Sequence, residues 1–256
     1  MSVLQKVSGF VLSGLIVVIA FSSLLMPAKT VAKQPKLIDR HQAEQDVENY
    51  LMGKFIPAKH EAFVRVPKKY ANRSGYYLRK EALNAYIQMH KAARKDGVKL
   101  IIRSATRNFN YQKGIWERKW RKQKRSRSAK NKALNILRLS SMPGTSRHHW
   151  GTEVDLNAFN NKWFESGDGL KLFNWLNKNA SKYGFQRPYT KKDSKRPTGY
   201  NEEKWHWSFT PLSIPMIRDA RLALDDTKIM GFSGSDTAKS IGVVKKYILG
   251  ISKSCQ

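Results

Sequence analysis

The chain contains a single cysteine among its 256 residues, and this scarcity excludes several kinds of site. Cys255 is the penultimate residue, so the sequence allows no internal disulfide, no cysteine-based zinc site and no well-placed thiol nucleophile. No cysteine lies near the N-terminal apolar segment, which excludes lipid attachment there. Internal repeats are also absent. A metal site, if the chain forms one, cannot depend on thiolate ligands.

Acidic residues are scarce as well, with 19 Asp and Glu against 48 Lys and Arg, a formal net charge of +29. Such a surface attracts polyanions: nucleic acid, anionic lipid headgroups or an acidic cell-wall polymer. Charge alone does not choose among them. At 41% hydrophobic and 11% aromatic residues, the composition is typical of a globular protein and excludes a disordered one.

The N-terminal segment narrows this choice. Lys6 precedes an uncharged, largely apolar run from Val7 to Ala28, and the small residues Thr30 and Ala32 follow where a cleavage site is expected. Residues 1–32 are therefore predicted to be a signal peptide or, since the run is long enough to span a bilayer, a retained membrane anchor. Both alternatives place the protein outside the cytoplasm, in the periplasm or cell envelope, and argue against nucleic acid as a partner.

Hydrophobic periodicity predicts an α+β fold with a small antiparallel sheet flanked by helices, forming a single domain. Residues 33–58 are predicted as a lead-in, residues 59–256 as the main folded domain, and the basic tail from about 211 as an extension. Strands are predicted around Phe63–Val66, 98–104, 153–159 and 204–209. Helices are predicted between Leu78 and Gly97, in two pieces around a basic stretch at 121–132, and between Gly169 and Gly184.

Two segments, "SRHHWGTEVDLNAF" and "NEEKWHWSF", suggest the halves of one metal site. A catalytic zinc needs three protein ligands and one open position, and His148, Asp155 and His206 can supply nitrogen, oxygen and nitrogen. Asp155 and His206 fall on predicted strands, which could bring them together as neighbours. Gly151 allows a tight backbone path between His148 and Asp155. His149 and Trp150 are interpreted as packing residues.

Two further residues complete a hydrolytic site. Glu203 is predicted to be the general base, which takes a proton from water and returns it to the leaving amine. Residues three apart in a regular strand face opposite sides, so Glu203 must lie in a turn before the His206 strand, or the role passes to Glu202. Arg107, just past a strand end, is predicted to hold the developing oxyanion or a substrate carboxylate. The H-E-x-x-H signature is absent.

These pieces and their order resemble the VanY-type zinc D-alanyl-D-alanine carboxypeptidases, of the LAS metallopeptidase group. The family pattern S-x-H-x-x-G-x-A-x-D matches "SRHHWGTEVD" at Ser146, His148, Gly151 and Asp155, and E-x-W-H matches "EKWH". Upstream, "SATRNFNYQ" offers the family's arginine and glutamine. Glu153 stands where the family has alanine, and "SATR" replaces "SGYR". The resemblance covers roughly residues 63–209.

The resemblance implies a Zn²⁺ peptidase that removes the terminal D-alanine from the stem peptides of peptidoglycan. It implies zinc ligation by His148, Asp155 and His206, water activation by Glu203, and oxyanion stabilisation by Arg107. It also implies substrate binding by Ser146 and Gln112. The role of Glu153, which adds a carboxylate near the metal segment, is left open.

Two alternatives remain at this point. An endopeptidase of the same group would use the same zinc core on a crosslink or an internal bond. A non-catalytic cationic protein would bind the cell wall through its surface alone. The stretch 121–132 carries seven positive charges and no acid, which is typical either of a solvated face or of a contact to an anionic wall polymer.

Overall fold

Four short antiparallel strands form the central sheet of a computed structural model that describes residues 40–256. Their order is β3–β4–β6–β5, and a separate hairpin joins β1 to β2. The strands are β1 Phe63–Arg65, β2 Tyr77–Arg79, β3 Ile102–Ser104, β4 Glu153–Leu156, β5 Phe185–Gln186 and β6 His206–Phe209. The predicted α+β class and antiparallel sheet are confirmed, although the strands are shorter than the sequence pattern suggests.

Helices cover the sheet and form most of the remaining structure. They are α1 Arg40–Leu51, α2 Lys80–Lys95, α3 Phe109–Arg121, α4 Ala129–Ile136, α5 Gly167–Asn179, α6 Thr210–Ala223 and α7 Ala238–Ile241. Gly97, with φ of +67°, ends the α2 region as its sequence predicts. The side chains of Asn108 and Ser128 cap α3 and α4 by accepting backbone N–H bonds, and so separate these two helices from the segments before them.

Two hydrophobic clusters hold these layers together. The first packs α2 and α5 against the sheet around Leu78, Tyr86 and Val154. The second joins α3, α4 and α6 with the C-terminal residues around Trp116 and Ile217. The tail predicted as a basic extension thus contributes buried residues to the second cluster.

The segment predicted as a lead-in is structured from residue 40 onward. Helix α1 packs against α6, and Leu51 and Met52 are buried in the second cluster. The Trp150 indole donates to the Leu51 carbonyl across 3.1 Å. The part predicted as a signal or anchor, 1–32, lies outside the described residues, as do 33–39. Within residues 40–256, no helix is both long and apolar enough to cross a membrane.

Candidate metal centre and active site

Strand register brings two of the predicted metal ligands face to face. In the antiparallel pairing of β4 with β6, Asp155 lies directly opposite His206. Cross-strand neighbours have Cβ atoms within about 5.5 Å, which is close enough for both side chains to reach one ion. On the other edge of β4, Asp155 pairs with Ser104 of β3, beside an irregularity in register between Ile102 and Ser104. The sheet thus fixes Asp155 from both sides.

His148 approaches from the short 3-10 helix Arg147–Trp150 that precedes β4. Gly151 ends this helix with φ of +75°, and a Cβ there would lie 2.3 Å from the Phe63 ring, so the predicted need for glycine is confirmed. His148 Nδ1 lies 2.8 Å from the Ala105 carbonyl, to which it donates as Nδ1–H. That bond leaves the Nε2 lone pair facing Asp155, whose Oδ2 is 3.3 Å away.

The three predicted ligands converge on one point. One donor atom from each of His148, Asp155 and His206 lies within 4.8 Å of the others. His206 Nδ1 is 3.1 Å from Asp155 Oδ1. His148 Nε2 and Asp155 Oδ1 are both buried without a hydrogen-bond partner among the described residues, although they face each other's side chains. These converging donor atoms are two imidazole nitrogens and a carboxylate oxygen, and two of the three have no hydrogen-bond partner within residues 40–256. Such a set fits a zinc ion with one position left open.

The electrostatics of the cluster favour a cation. Burial and the nearby Arg107 charge lower the pKa of His148 to about 4, so its ring is neutral and able to ligate. Burial disfavours a charged His206 ring, but its close contacts with the carboxylates of Asp155, Glu153 and Glu203 outweigh burial and raise its pKa well above the usual value. The carboxylates around His206 therefore stabilise positive charge at this point, which a divalent ion would also supply.

Glu203 lies in the turn that the sequence requires. The His206 N–H donates to the Glu203 carbonyl over 3.3 Å, so the chain folds back immediately before β6 begins at His206. As a result, Glu203 Oε2 lies 3.4 Å from His206 Nδ1, on the metal side of the ring. Burial raises the pKa of Glu203, partly offset by His206, which makes it a better proton acceptor than an exposed carboxylate.

The alternative base, Glu202, is directed elsewhere. Its carboxylate forms a 3.0 Å ion pair with Arg187, and it does not line the cavity that contains the three ligands. Of these two adjacent glutamates, Glu203 is therefore the one whose position matches a general base.

Arg107 lies next to the three predicted ligands, on the side of Asp155. Its Nη1 is 4.0 Å from Asp155 Oδ2 and 3.4 Å from Ser104 Oγ, to which it donates. Its backbone is held by two contacts to the histidine segment: Arg107 N–H donates to the His148 carbonyl, and His149 Nδ1–H donates to the Arg107 carbonyl. Main-chain contacts thus position the Arg107 loop, and the guanidinium lies near the metal position.

A cavity of about 230 Å³ opens over these residues. Lys119, Ser140, Ser141 and Ser146 form part of its wall. The remaining lining residues are Arg107, Ile115, Leu139, Arg147, His148, Asp155, Phe159, Tyr189, Tyr200, Glu203, Trp205 and His206. Metal, base and arginine positions therefore open into one space large enough for a short peptide end.

The two predicted substrate-binding residues differ in position. Ser146 lines the cavity, and its buried Oγ has no hydrogen-bond partner among the described residues. Gln112 is buried outside the lining, where its Nε2 donates to the Ser141 carbonyl across 2.8 Å. Direct contact of Gln112 with a substrate therefore stays a prediction, while its observed contact supports the loop that carries Ser141.

His149 is a structural residue, as its sequence context indicates. Its Nε2 accepts from the Gly144 N–H at 3.1 Å, and burial lowers its pKa to about 3. Its ring packs closely against Gly53 and does not line the cavity. Two adjacent histidines thus serve different purposes, one facing the cavity and one holding the Arg107 loop.

The sequence leaves the role of Glu153 open and gives Lys119 no role. Glu153 lies two residues before Asp155 on β4 and therefore on the same face, and this period-two spacing is the signal that places it on the side of Asp155. Lys119 enters the cavity from α3, and no local pattern distinguishes it from the other lysines of that helix.

Fold and geometry together define a small α+β protein with a buried His–Asp–His metal centre beside a glutamate and an arginine. The VanY family model, described as D-alanyl-D-alanine carboxypeptidase, matches residues 75–212, more than half of the chain. The chain belongs to this family. The matched range contains all the cavity residues that the sequence predicts for the site: Arg107, Ser146, His148, Asp155, Glu203 and His206.

Two curated relatives agree with this assignment. An Enterococcus faecalis protein named D-alanyl-D-alanine carboxypeptidase is 34% identical over 132 residues, 50% of this chain and 46% of the relative. Bacillus subtilis YodJ, named a putative carboxypeptidase, is 31% identical over 157 residues, 59% of this chain and 53% of the relative. Among solved structures, VanYB in complex with D-alanine-D-alanine has 23% identity, covers 76% of this chain and 90% of its own, and gives a TM-score of 0.48. The chain spans about half the length of these two curated relatives.

Proposed function

We propose that the protein is a zinc-dependent D-alanyl-D-alanine carboxypeptidase that trims the stem peptides of peptidoglycan. The observation that carries this proposal is the convergence of His148, Asp155 and His206, with Glu203 and Arg107 opening into the same cavity. Family membership and the name of the Enterococcus faecalis relative support the substrate class.

Zinc would be held by His148 Nε2, one Asp155 oxygen and His206 Nδ1. When bound, it supplies Lewis acidity towards an attacking water and the scissile carbonyl. Glu203 takes the proton from that water and later delivers it to the amine of the departing D-alanine. Arg107 donates hydrogen bonds to the carbonyl oxygen as negative charge develops on it. The bond between the two terminal residues is broken, and water supplies the new carboxylate oxygen and the proton on the amine.

The cavity wall favours release of a terminal residue over internal cleavage. Lys119 is half-buried, and its ammonium donates to Ser140 Oγ at 2.5 Å, with no carboxylate of residues 40–256 within ion-pair distance. Burial and the Arg107 charge lower its pKa, partly offset by Glu203. A buried cation without a fixed counter-ion is costly, so an anionic group of the substrate would stabilise this site. A free C-terminal carboxylate, with Ser146 Oγ nearby as a donor, matches that requirement.

The test uses three synthetic substrates of one sequence: a stem pentapeptide with a free carboxylate, its C-terminal amide, and a crosslinked dimer. Products are identified by mass, and zinc is measured in the same purified sample. Release of D-alanine from the free acid but not from the amide supports a carboxypeptidase. Cleavage of the dimer at the crosslink would favour the endopeptidase, and no cleavage of any substrate by the zinc-loaded protein would contradict the proposal.

We further propose that the protein is exported to the cell envelope. The apolar run from Val7 to Ala28 and the location of peptidoglycan support this placement. Cell fractionation tests it, and recovery in the cytoplasm with the N-terminus intact would contradict it. Whether the segment is cut or retained as an anchor follows from the N-terminal sequence of the recovered protein.

An anionic wall polymer is the proposed partner of the basic stretch 121–132. Its exposed cations at the end of α3 and in the segment before α4 are Arg121, Lys122, Lys124, Arg125 and Arg127. Binding through these side chains should fall steeply with salt, as polyelectrolyte contacts do. Replacing these five residues with glutamine should remove the salt-dependent binding to isolated cell walls while D-alanine release from a short soluble peptide persists. Unchanged wall binding would contradict the proposal.

A further inference from the structure

Glu153 is buried in the sheet and shares His206 with the metal position. Its Oε2 lies 2.8 Å from His206 Nε2, the ring nitrogen opposite the one that faces Asp155. Its Oε1 accepts from Arg147 Nη2 at 2.9 Å and from Ser208 Oγ at 2.7 Å. The Glu153 side chain has no exposed surface. Glu153 therefore contacts the His206 ring on the nitrogen that faces away from the metal position, and it is not one of the three proposed ligands.

Arg147 is the partner that stabilises this buried carboxylate. It is fully buried between the cavity residues Ser146 and His148, and its guanidinium lies 4.8 Å from the centre of the Trp150 ring. Nη2 also donates to Ser208 Oγ at 2.6 Å. A buried charge without its partner is strongly destabilising, so loss of either member of the pair should lower the stability of the fold. The family pattern has alanine at the position of Glu153, so this pair is a departure of the present chain.

The geometry selects one form of the His206 ring. Because an ionised carboxylate only accepts hydrogen bonds, Glu153 Oε2 requires a proton on His206 Nε2. In a neutral ring, a proton on Nε2 leaves the lone pair on Nδ1, and this lone pair is available to a metal ion on the Asp155 side. Arg147 and Ser208 occupy Oε1, which leaves Oε2 for the ring and prevents the carboxylate from turning away.

We propose that Arg147 and Glu153 form a positioning pair that fixes the tautomer and orientation of His206 for metal binding. The proposal rests on the metal centre proposed above and adds an outer carboxylate to it. A carboxylate on the far nitrogen of a ligating histidine also makes that histidine a stronger donor. Loss of such a partner commonly weakens metal affinity or activity by roughly 10–100-fold.

The first test is Glu153→Gln in the full chain, with zinc affinity measured by competition against a chromogenic chelator. The amide has nearly the same volume, but it cannot accept from both Arg147 and His206 through two oxygens. We expect zinc to bind roughly 10–100-fold more weakly. With Co²⁺ in place of zinc, we expect the visible absorption bands to shift, because the ring that ligates the ion is no longer fixed.

Glu202→Gln is the matched control. It removes a carboxylate that pairs with an arginine at 3.0 Å, on the segment next to Glu203, without contact to a ligand ring. Its zinc affinity and Co²⁺ spectrum should equal those of the unmodified protein. An equal loss in both variants would show a general effect of removing arginine partners and would contradict a specific role of Glu153.

A second variant covers the case in which Glu153→Gln does not fold. Arg147→Met combined with Glu153→Ala removes both charges together and restores the family residue at position 153, so no unpaired charge stays buried. Circular dichroism checks its folding. We expect a folded protein whose zinc affinity is weakened and whose kcat falls more than its KM changes.

The outcomes separate this inference from the proposed function. Lack of zinc and of D-alanine release in the unmodified protein would overturn the function itself. If the unmodified protein binds zinc and releases D-alanine, but either folded variant keeps the same zinc affinity and Co²⁺ spectrum, the pair is merely structural and the inference is overturned.

Discussion

The site has a strand-borne half and a loop-borne half, and the two are positioned by different means. Asp155 and His206 lie on β4 and β6, where they are paired by strand register. Arg107, His148 and Glu203 lie on a loop, a 3-10 helix and a turn, where a few individual hydrogen bonds to main-chain atoms locate them. The strand-borne half carries two of the proposed metal ligands, whereas the loop-borne half carries the third proposed ligand, the proposed base and the proposed oxyanion donor.

This difference indicates how the two halves should respond to change. Paired strands hold their other side chains in place, so no neighbouring residue can move in to replace a lost ligand on β4 or β6. Loss of such a ligand should therefore remove the ion. A loop residue that only contacts the substrate or its water can be removed while the strands keep their register and the metal stays bound. The predictions below use that contrast, beginning with the largest effect.

His206→Ala should lose both zinc and hydrolysis. It removes a donor from the three-ligand cluster, and the loss of zinc affinity should exceed the roughly 10–100-fold associated with an outer partner. Metal content after dialysis and D-alanine release are the two measurements. An unchanged metal content in this variant would refute the ligand assignment.

Glu203→Ala should keep zinc and lose hydrolysis. General acid–base groups contribute roughly 10²–10⁴-fold to rate, so kcat should fall by that order. Glu203 is outside the ligand cluster, so zinc content should stay at the level of the unmodified protein. Full activity in this variant would contradict the proposed base and would favour a non-catalytic wall-binding protein.

Arg107→Met should lower kcat by about 10²–10³-fold, as loss of an oxyanion donor commonly does. Zinc content should be retained, because the main-chain hydrogen bonds that hold the Arg107 loop stay in place in this variant. Steady-state kinetics on the free-acid pentapeptide measure the effect. A change in KM alone would assign Arg107 to the substrate carboxylate instead.

Lys119 should give the reaction an alkaline limit. Burial lowers its pKa, so its positive charge is lost at a lower pH than that of an exposed lysine, and substrate carboxylate binding should weaken as pH rises through that value. The pH profile of kcat/KM reports this ionisation in the free enzyme. Lys119→Arg should keep the positive charge and extend activity to higher pH. If the alkaline decline of kcat/KM is the same in this variant as in the unmodified protein, the proposed role of Lys119 is contradicted.

Gln112→Leu should have the smallest catalytic effect. It removes a buried hydrogen bond to the Ser141 carbonyl, which should lower the free energy of unfolding by about 1–3 kcal/mol. If Gln112 contacts no substrate directly, KM should change little under conditions where the variant is folded. Thermal unfolding and KM together decide this, and a large rise in KM would restore the predicted direct contact.

The sequence predicts the strand-borne half better than the loop-borne half. Alternation along β4 and β6 locates Asp155 and His206, and the paired motifs order them with His148. The turn that carries Glu203 follows from the conflict between a three-residue spacing and a regular strand. The meeting of Glu153 with His206 depends on which strands are neighbours, and the entry of Lys119 into the cavity depends on how α3 packs. Both are set by tertiary contacts that one sequence does not display.

The central claim is that three side chains, distant in sequence, share one metal ion. Zinc analysis of the purified protein, beside the variant Asp155→Asn, tests it most directly. This substitution keeps the size of the side chain but removes the charge that the two histidines face. The account predicts one zinc per unmodified chain and none retained by the variant after dialysis. An equal zinc content in both proteins would contradict it.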